Sequence, residues 1–282
     1  TVPPGRPTPR SRLRRAAFGL STLLGRPRGF FIPYRHANSV RARAYPALEP
    51  LFRSAEPGFR KLVAIAESYQ ADILRILGGP GPARFDQDWF PRLDAAIAYV
   101  VVRHDKPKRI VEIGSGHSTR FLARAVQDGG LSTEIVAIDP APRASLAALG
   151  VRHVPALLDD ADPDLFARLG PGDILFVDSS HVAMPGSDVD RVVGDLLPRL
   201  PAGALVHVHD ILLPDAYPPE WAWRAYNEAT VVAALIGSGG FELLFSSHWV
   251  ASRHPGWLAC GVMGQLPLLP GARESSLWLR KR

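Results

Sequence analysis

From residue 109 onward the chain alternates short apolar runs with amphipathic segments. Runs at 109–113, 134–138, 151–154, 173–177 and 204–209 are nearly continuous in Val, Ile, Leu, Phe and Ala. They lack the polar alternation of half-exposed strands, as expected of strands buried on both sides. Helical segments fall between them near 118–128, 142–149, 163–169 and 187–199. This alternation predicts an α/β fold, a mostly parallel sheet with helices on both faces. A long helix from Glu220 to Ile236 follows. Two further strands, Phe241 to Trp249 and Trp257 to Gln265, complete seven with a terminal hairpin. Upstream, Leu62, Ile65, Tyr69, Ile73, Ile76 and Leu77 recur at helical spacing and predict a helix from Pro57 to Leu77, stopped by Gly78-Gly79-Pro80. Leu93, Ile97, Val100 and Val101 predict a second from Trp89 to Arg103, with Pro91 suited to its first turn. The two read as a helical cap before the sheet.

Composition changes this picture mainly at one end. Residues 1–60 hold twelve Arg and two acids, a net of +10, whereas the whole chain carries only +6. Only four of the 33 basic residues are lysine, a habit that makes the basic pI weak ground for a nucleic-acid partner, and none is expected. Arg10 to Arg15 followed by Ala16 to Leu24 has the outline of a signal peptide, but no small-x-small cleavage site follows. The stretch reads either as a basic amphipathic segment resting on an anionic membrane or as a solvated arm. A small aromatic cluster, Phe30, Phe31 and Tyr34, follows it. The chain opens on Thr1 rather than Met, which reads as a trimmed start. No apolar run reaches the roughly 18 residues of a membrane span. The single cysteine, Cys260, excludes an internal disulfide, and its apolar, strand-like surroundings predict a core thiol.

The chemistry concentrates at strand ends. Arg109 to Gly116 reads Arg-Ile-Val-Glu-Ile-Gly-Ser-Gly: a strand ends in Glu112 and opens into a two-glycine turn, where backbone approaches a ligand without a Cβ in the way. Twenty-five residues after Gly114 a second strand ends in Asp139, an acid able to accept both hydroxyls of a ribose. Phe-Val-Asp178-Ser-Ser-His181 and Val-His209-Asp210 close two more strands. Ligands of open parallel sheets bind beyond these carboxyl ends.

In that order and at those intervals the chain resembles, over roughly residues 85–265, the class I S-adenosylmethionine-dependent methyltransferases. It is most similar to bacterial members whose fourth strand runs into Asp-Ser-Ser-His and whose fifth ends in His-Asp. The resemblance implies a Rossmann-like seven-stranded domain over 106–270, preceded by an arm at 1–45 and a cap at 46–105 and followed by a tail at 271–282. It implies that Gly114, Ser115 and Gly116 line the methionine part of S-adenosyl-L-methionine, with Glu112 behind the loop or on the cofactor's ammonium. Asp139 would hold the ribose and Asp159 the adenine amino group. His117, Ser118 and Thr119 would stand at the helix start, Ser118 serving equally well as an N-cap. In metal-dependent relatives acids at the ends of strands four and five bind a divalent cation. Asp178 and Asp210 match them, but Ile211 replaces a frequent Asn or Asp, so His181 or His209 would complete the set.

His181 is the first choice for a general base, with an unperturbed pKa suited to a hydroxyl proton near neutrality. The alternative is a histidine that orders its loop. His209, nearer the strand edge than His207, is the second candidate, and His207 reads as a core histidine. The Pro- and aromatic-rich loop from Leu212 to Trp221 either covers an apolar, planar acceptor or packs the following helix onto the cap. The implied activity is cytoplasmic methyl transfer to a small-molecule acceptor, most simply to oxygen. A nicotinamide-dependent oxidoreductase is the main rival. Thr119 in place of its third small residue and the acids at the strand ends argue against it. A non-enzymatic module tethered to a membrane by the basic arm is the second.

Overall fold

In the computed structural model, which describes residues 9–282 except 31, 143 and 144, seven short strands form one sheet. They are β1 (Arg109–Ile113), β2 (Glu134–Ile138), β3 (Arg152–Val154), β4 (Ile174–Val177), β5 (Leu205–Val208), β6 (Phe241–Ser246) and β7 (Leu277–Lys281). Their order is β3-β2-β1-β4-β5-β7-β6, parallel except for β7, which runs antiparallel to both neighbours. Helices α1 (Pro9–Leu23), α2 (Glu49–Glu67), α3 (Gln70–Gly78), α4 (Arg92–Asp105) and α5 (His117–Gly129) precede or enter the alternating region. Then come α6 (Asp164–Ala167), α7 (Asp188–Arg191), α8 (Leu197–Arg199), α9 (Glu228–Gly237) and α10 (Ser247–Arg253). This is the Rossmann-like α/β architecture expected. Every residue of β4 and β5 is buried, which is why β4 reads as an unbroken apolar run and β5 is interrupted only by His207.

The register places the chemistry. Ile113 pairs with Ile138 and Val177, and Val177 with Val208, so the residues that follow these strands emerge side by side. The chain leaves β1 toward β2 on one side and reaches β4 on the other. The order reverses between β1 and β4, the switch point where open sheets bind ligands.

Several expected boundaries shift. The helix read from Pro57 to Leu77 is two, α2 and α3, and Pro57 lies inside α2. The proline that opens α2 is Pro50, in its first turn, where a missing N–H costs nothing. Pro91 is the N-cap of α4. The long helix expected from Glu220 shortens to α9: residues 219–221 form a single 3-10 turn, and Ala225 holds left-handed backbone, φ 56°, which a helix cannot run through. β6 stops at Ser246, whose hydroxyl accepts from the Trp249 N–H at 3.2 Å and starts α10. The strand expected over Trp257 to Gln265 is instead a pair of 3-10 turns, at Pro255–Leu258 and Met263–Gln265. A Cβ at Gly264 would lie 2.8 Å from the Ala259 carbonyl oxygen, so glycine there folds the chain back. Cys260 sits in this turn and is exposed, not a core thiol.

The seventh strand comes from residues read as a tail. Leu277, Trp278 and Leu279 are fully buried between β5 and β6. Just before them, Glu274 accepts two hydrogen bonds from Arg92 and one from the Leu93 N–H, all at 2.8–2.9 Å. The Ser275 and Ser276 N–H groups donate to Asp94. The C-terminal segment therefore holds the start of α4 against the sheet. The arm's residues 1–8 and Phe31 lie outside the described residues.

Candidate active site

A cleft of about 920 Å³ opens at the carboxyl edge of the sheet, over the switch point. Its glycine turn is fixed from below. Glu112 is fully buried and accepts from Ser118 Oγ and Thr119 Oγ1, each at 2.6 Å. Thr119 Oγ1 also accepts from the Gly116 N–H at 2.9 Å, and Gly116 is the N-cap of α5. Ser118 is thus not the N-cap but a clamp on Glu112. Burial raises the Glu112 pKa to about 8, against the lowering by the two hydroxyls.

The two glycines do different work. Gly114 has φ +88°, and a Cβ there would fall onto the Asp178 carbonyl oxygen. It allows β1 and β4 to close together. A Cβ on Gly116 would meet nothing, and this residue lines the cleft. Ser115 donates to Asp139 Oδ2 at 2.7 Å, while Asp139 Oδ1 accepts from the Ala141 N–H at 2.8 Å. The ends of β1 and β2 are thereby joined. Asp159 lies farther along on an exposed 3-10 turn, with Arg191 Nη1 at 3.3 Å. Gly114, Ser115, Gly116, His117, Ser118, Asp139 and Asp159 all line the cleft; Glu112 does not.

At the other end the expected catalytic residues converge. His181 Nε2 lies 3.4 Å from Asp178 Oδ1 and 3.6 Å from Asp210 Oδ2. His209 Nδ1 lies 3.3 Å from the same Asp178 oxygen and 3.8 Å from Asp210 Oδ1. Behind them stand two acids that sequence reasoning missed. Glu228 Oε2 is 2.9 Å from His181 Nδ1, and Asp94 Oδ2 is 3.5 Å from His209 Nε2. Both are buried at helix starts, where an acid reads as an ordinary first-turn residue; only the fold brings them here. His181 and Asp210 hold left-handed backbone, φ 60° and 54°, a strain that clusters at functional sites. The His181 carbonyl accepts from the N–H groups of Asn227 and Glu228, which pins the loop to α9.

These neighbours overturn the unperturbed histidine expected at 181. Burial alone would lower its pKa. Hydrogen bonds to Asp178 and Glu228, with the charges of Glu228 and Asp210, outweigh it and raise the value to about 10. His209 is likewise held well above the usual range, its burial outweighed by the charges of Asp178 and Asp210. Asp178 is held low, the two imidazoliums outweighing its own desolvation. His207 is a core histidine: Nε2 meets Ser276 Oγ at 2.8 Å, its ring stacks on Phe176 at 3.6 Å, and burial keeps it neutral.

The same geometry does not fit the cation expected at Asp178 and Asp210. His181 Nε2 and His209 Nδ1 both face Asp178 and Asp210 at 3.3–3.8 Å, so the imidazoles sit between the two carboxylates as their hydrogen-bonding and charge partners. Among the described residues no group of three or more His, Cys, Asp and Glu side chains is arranged to hold one ion.

An aromatic cluster stands beside the histidines. Tyr217, Trp221 and Tyr226 contact one another, and Tyr226 lies 4.6 Å from His181. The guanidinium of Arg224 sits 4.5 Å from Trp221, with Nη1 3.5 Å from Asp210 Oδ2.

Residues 111–211, from β1 to just past β5, match a family model described as a methyltransferase domain. These residues form a methyltransferase domain. The match begins at the strand that carries Glu112 and ends one residue past Asp210. The glycine turn, Asp139 and the Asp178–His209 cluster are thus all parts of the methyltransferase domain, while Asp94 and Glu228 come from outside the matched segment. No curated protein matches the chain. Among solved structures, the methyltransferase PaMTH1 of Podospora anserina, bound to S-adenosylhomocysteine, is 17% identical. The match covers 90% of this chain and 99% of that one, with a TM-score of 0.42. The O-methyltransferase TomG of Streptomyces achromogenes, in complex with S-adenosylmethionine, is 19% identical over 77% and 89% of the two chains, with a TM-score of 0.42. An O-methyltransferase from Bacillus cereus, in complex with S-adenosylhomocysteine, is 14% identical over 76% and 91%, with a TM-score of 0.41.

Proposed function

We propose that the cleft binds S-adenosyl-L-methionine and passes its methyl group to a hydroxyl of a small-molecule acceptor. The observation that carries this reading is the convergence, in one cleft at the switch point, of an open glycine, a ribose-type acid and a carboxylate–imidazole cluster. Gly116 leaves room for the cofactor, Asp139 accepts from the ribose hydroxyls, and Asp159 lies toward the adenine. The sulfonium is already reactive, so the protein's task is placement, exclusion of water and removal of a proton.

Asp178 and His181 supply the last. In the cluster His181 carries a proton at neutral pH, and a positive sulfonium beside it disfavours that charge. Cofactor binding therefore turns His181 from an acid toward a base, poised between Asp178 and the acceptor. Glu228 holds the ring from behind, and His209, fixed by Asp94, keeps Asp178 ionised. No step needs a cation. Calorimetry with S-adenosylmethionine, S-adenosylhomocysteine and NAD tests the reading: binding of the first two and not the third is expected. Binding of NAD alone would establish the oxidoreductase alternative.

The arm supports a second, separate reading. Among the described residues of α1 and its end, Leu13, Leu20, Leu23 and Leu24 are all exposed, beside Arg14 and Arg15. We infer that this helix rests on an anionic membrane surface, its leucines in the interface and its arginines on lipid headgroups. No described helix is long and apolar enough to cross a membrane.

A further inference from the structure

The cleft contains a cation whose charge is unused. Among the described residues four arginines line it. Arg224 faces Asp210, Arg273 pairs with Glu220, and Arg84 stands 3.7 Å from Asp86. Arg120 has neither a hydrogen bond nor an ion pair among the described residues. It lies on α5, four residues after Gly116 and three after His117, so all three share the helix face turned to the cleft. His117 Nδ1 is buried there without a hydrogen-bond partner. Burial, then the charges of Arg120 and Arg84, push His117 down to about 4, so it stays neutral and can donate to an anion without becoming one more cation. A free guanidinium beside an unpartnered imidazole nitrogen is a site for a carboxylate.

We propose that Arg120, with His117 Nδ1 beside it, binds the carboxylate of the cofactor's methionine end. The inference rests on the cofactor reading above and adds the polarity of the bound molecule. With its ribose at Asp139, the chain of the cofactor runs past Gly116, where the open backbone lets it lie flat, to the first turn of α5. Its carboxylate meets Arg120 there, and its sulfonium is left facing the half-exposed Asp178. The cofactor is thus held by Asp139 at its sugar and by Arg120 at its amino-acid end.

The test compares two ligands that differ in the amino-acid part. S-adenosylhomocysteine has the carboxylate; 5′-methylthioadenosine keeps the nucleoside and lacks it. Calorimetry on the full chain and on Arg120→Ala and Arg120→Lys reads both. Arg120→Ala is expected to weaken S-adenosylhomocysteine about 10–100-fold, the loss expected for hydrogen bonds to a charged group. Methylthioadenosine should change by less than about twofold, since that ligand never met the guanidinium. Arg120→Lys should recover part of the loss, keeping the charge but not the fork. If Arg120→Ala weakens neither ligand, or both alike, this inference fails while the cofactor reading stands. If the unaltered chain binds neither ligand, the cofactor reading fails and the inference with it.

Discussion

At the scale of single residues, the two glycines of the first turn make opposite predictions. Gly114→Val should lower the melting temperature, because its Cβ meets the backbone carbonyl of Asp178 and pushes β1 from β4. Gly116→Val should leave the melting temperature within a few degrees and abolish S-adenosylhomocysteine binding, because its side chain enters the open cleft. Thermal unfolding and calorimetry on both variants separate the effects; equal melting temperatures would remove the distinction. Asp139→Ala should weaken the same ligand by about 1–3 kcal/mol. The turn and the strand-end acids were legible in the sequence because each follows a recognisable apolar run. What distinguishes Gly114 from Gly116 was not legible, since it depends on β4, sixty residues away in the chain. Asp94, Arg120 and Glu228 were missed for the same reason. Asp94 and Glu228 occupy helix first turns, where an acid has an adequate local explanation, and Arg120 reads as the polar face of an amphipathic helix.

Among elements, the loop after β4 and the start of α9 act as one unit through His181. Its raised pKa fixes a sign. An imidazole whose value rises from 6.5 to about 10 on folding adds stability that is fully present below 6.5 and is lost as pH climbs through 10. Glu112, raised to about 8, adds a loss of the same sign as pH passes from 4.5 through 8. The melting temperature should therefore fall between pH 6.5 and 10. His181→Gln, which removes the contributor that titrates at the higher pH, should flatten the upper part of the fall while leaving the part due to Glu112. An equally steep decline in the variant would mean that His181 is not charged in the folded chain. β1, β2, β4 and β5 were readable from their mostly apolar runs, and β3, Arg-His-Val, from its place in the alternation. β7 was not: three apolar residues followed by Arg280, Lys281 and Arg282 look like an end, and only pairing with β5 and β6 makes them a strand. The false strand over Trp257 to Gln265 has the converse cause, an apolar composition folded by Gly264 into turns.

For the whole molecule, the arm and the catalytic domain touch at a narrow seam. The Tyr45 N–H donates to the Pro214 carbonyl at 2.7 Å, and its hydroxyl meets Thr230 Oγ1 at 3.1 Å, so the dispensable segment ends at residue 44 rather than 45. Phe30 nevertheless lines the cleft mouth. Removal of residues 1–44 should leave the melting temperature and S-adenosylhomocysteine affinity nearly unchanged, and should abolish salt-sensitive sedimentation with anionic vesicles. Vesicle binding that survives the truncation would place the membrane contact elsewhere. The insertion of β7 between β5 and β6 carries a consequence in time. The serines before it fix Asp94, and Asp94 faces His209, so part of the proton-handling cluster depends on contacts that span about 180 residues of chain. Such distant closures are paid for late in folding. A chain caught before that step would have its nucleotide-type cleft half built and its histidine cluster unassembled. Acquisition of chemistry would then coincide with completion of the sheet, and a refolding experiment should recover ligand binding and the final tertiary signal in the same slow phase.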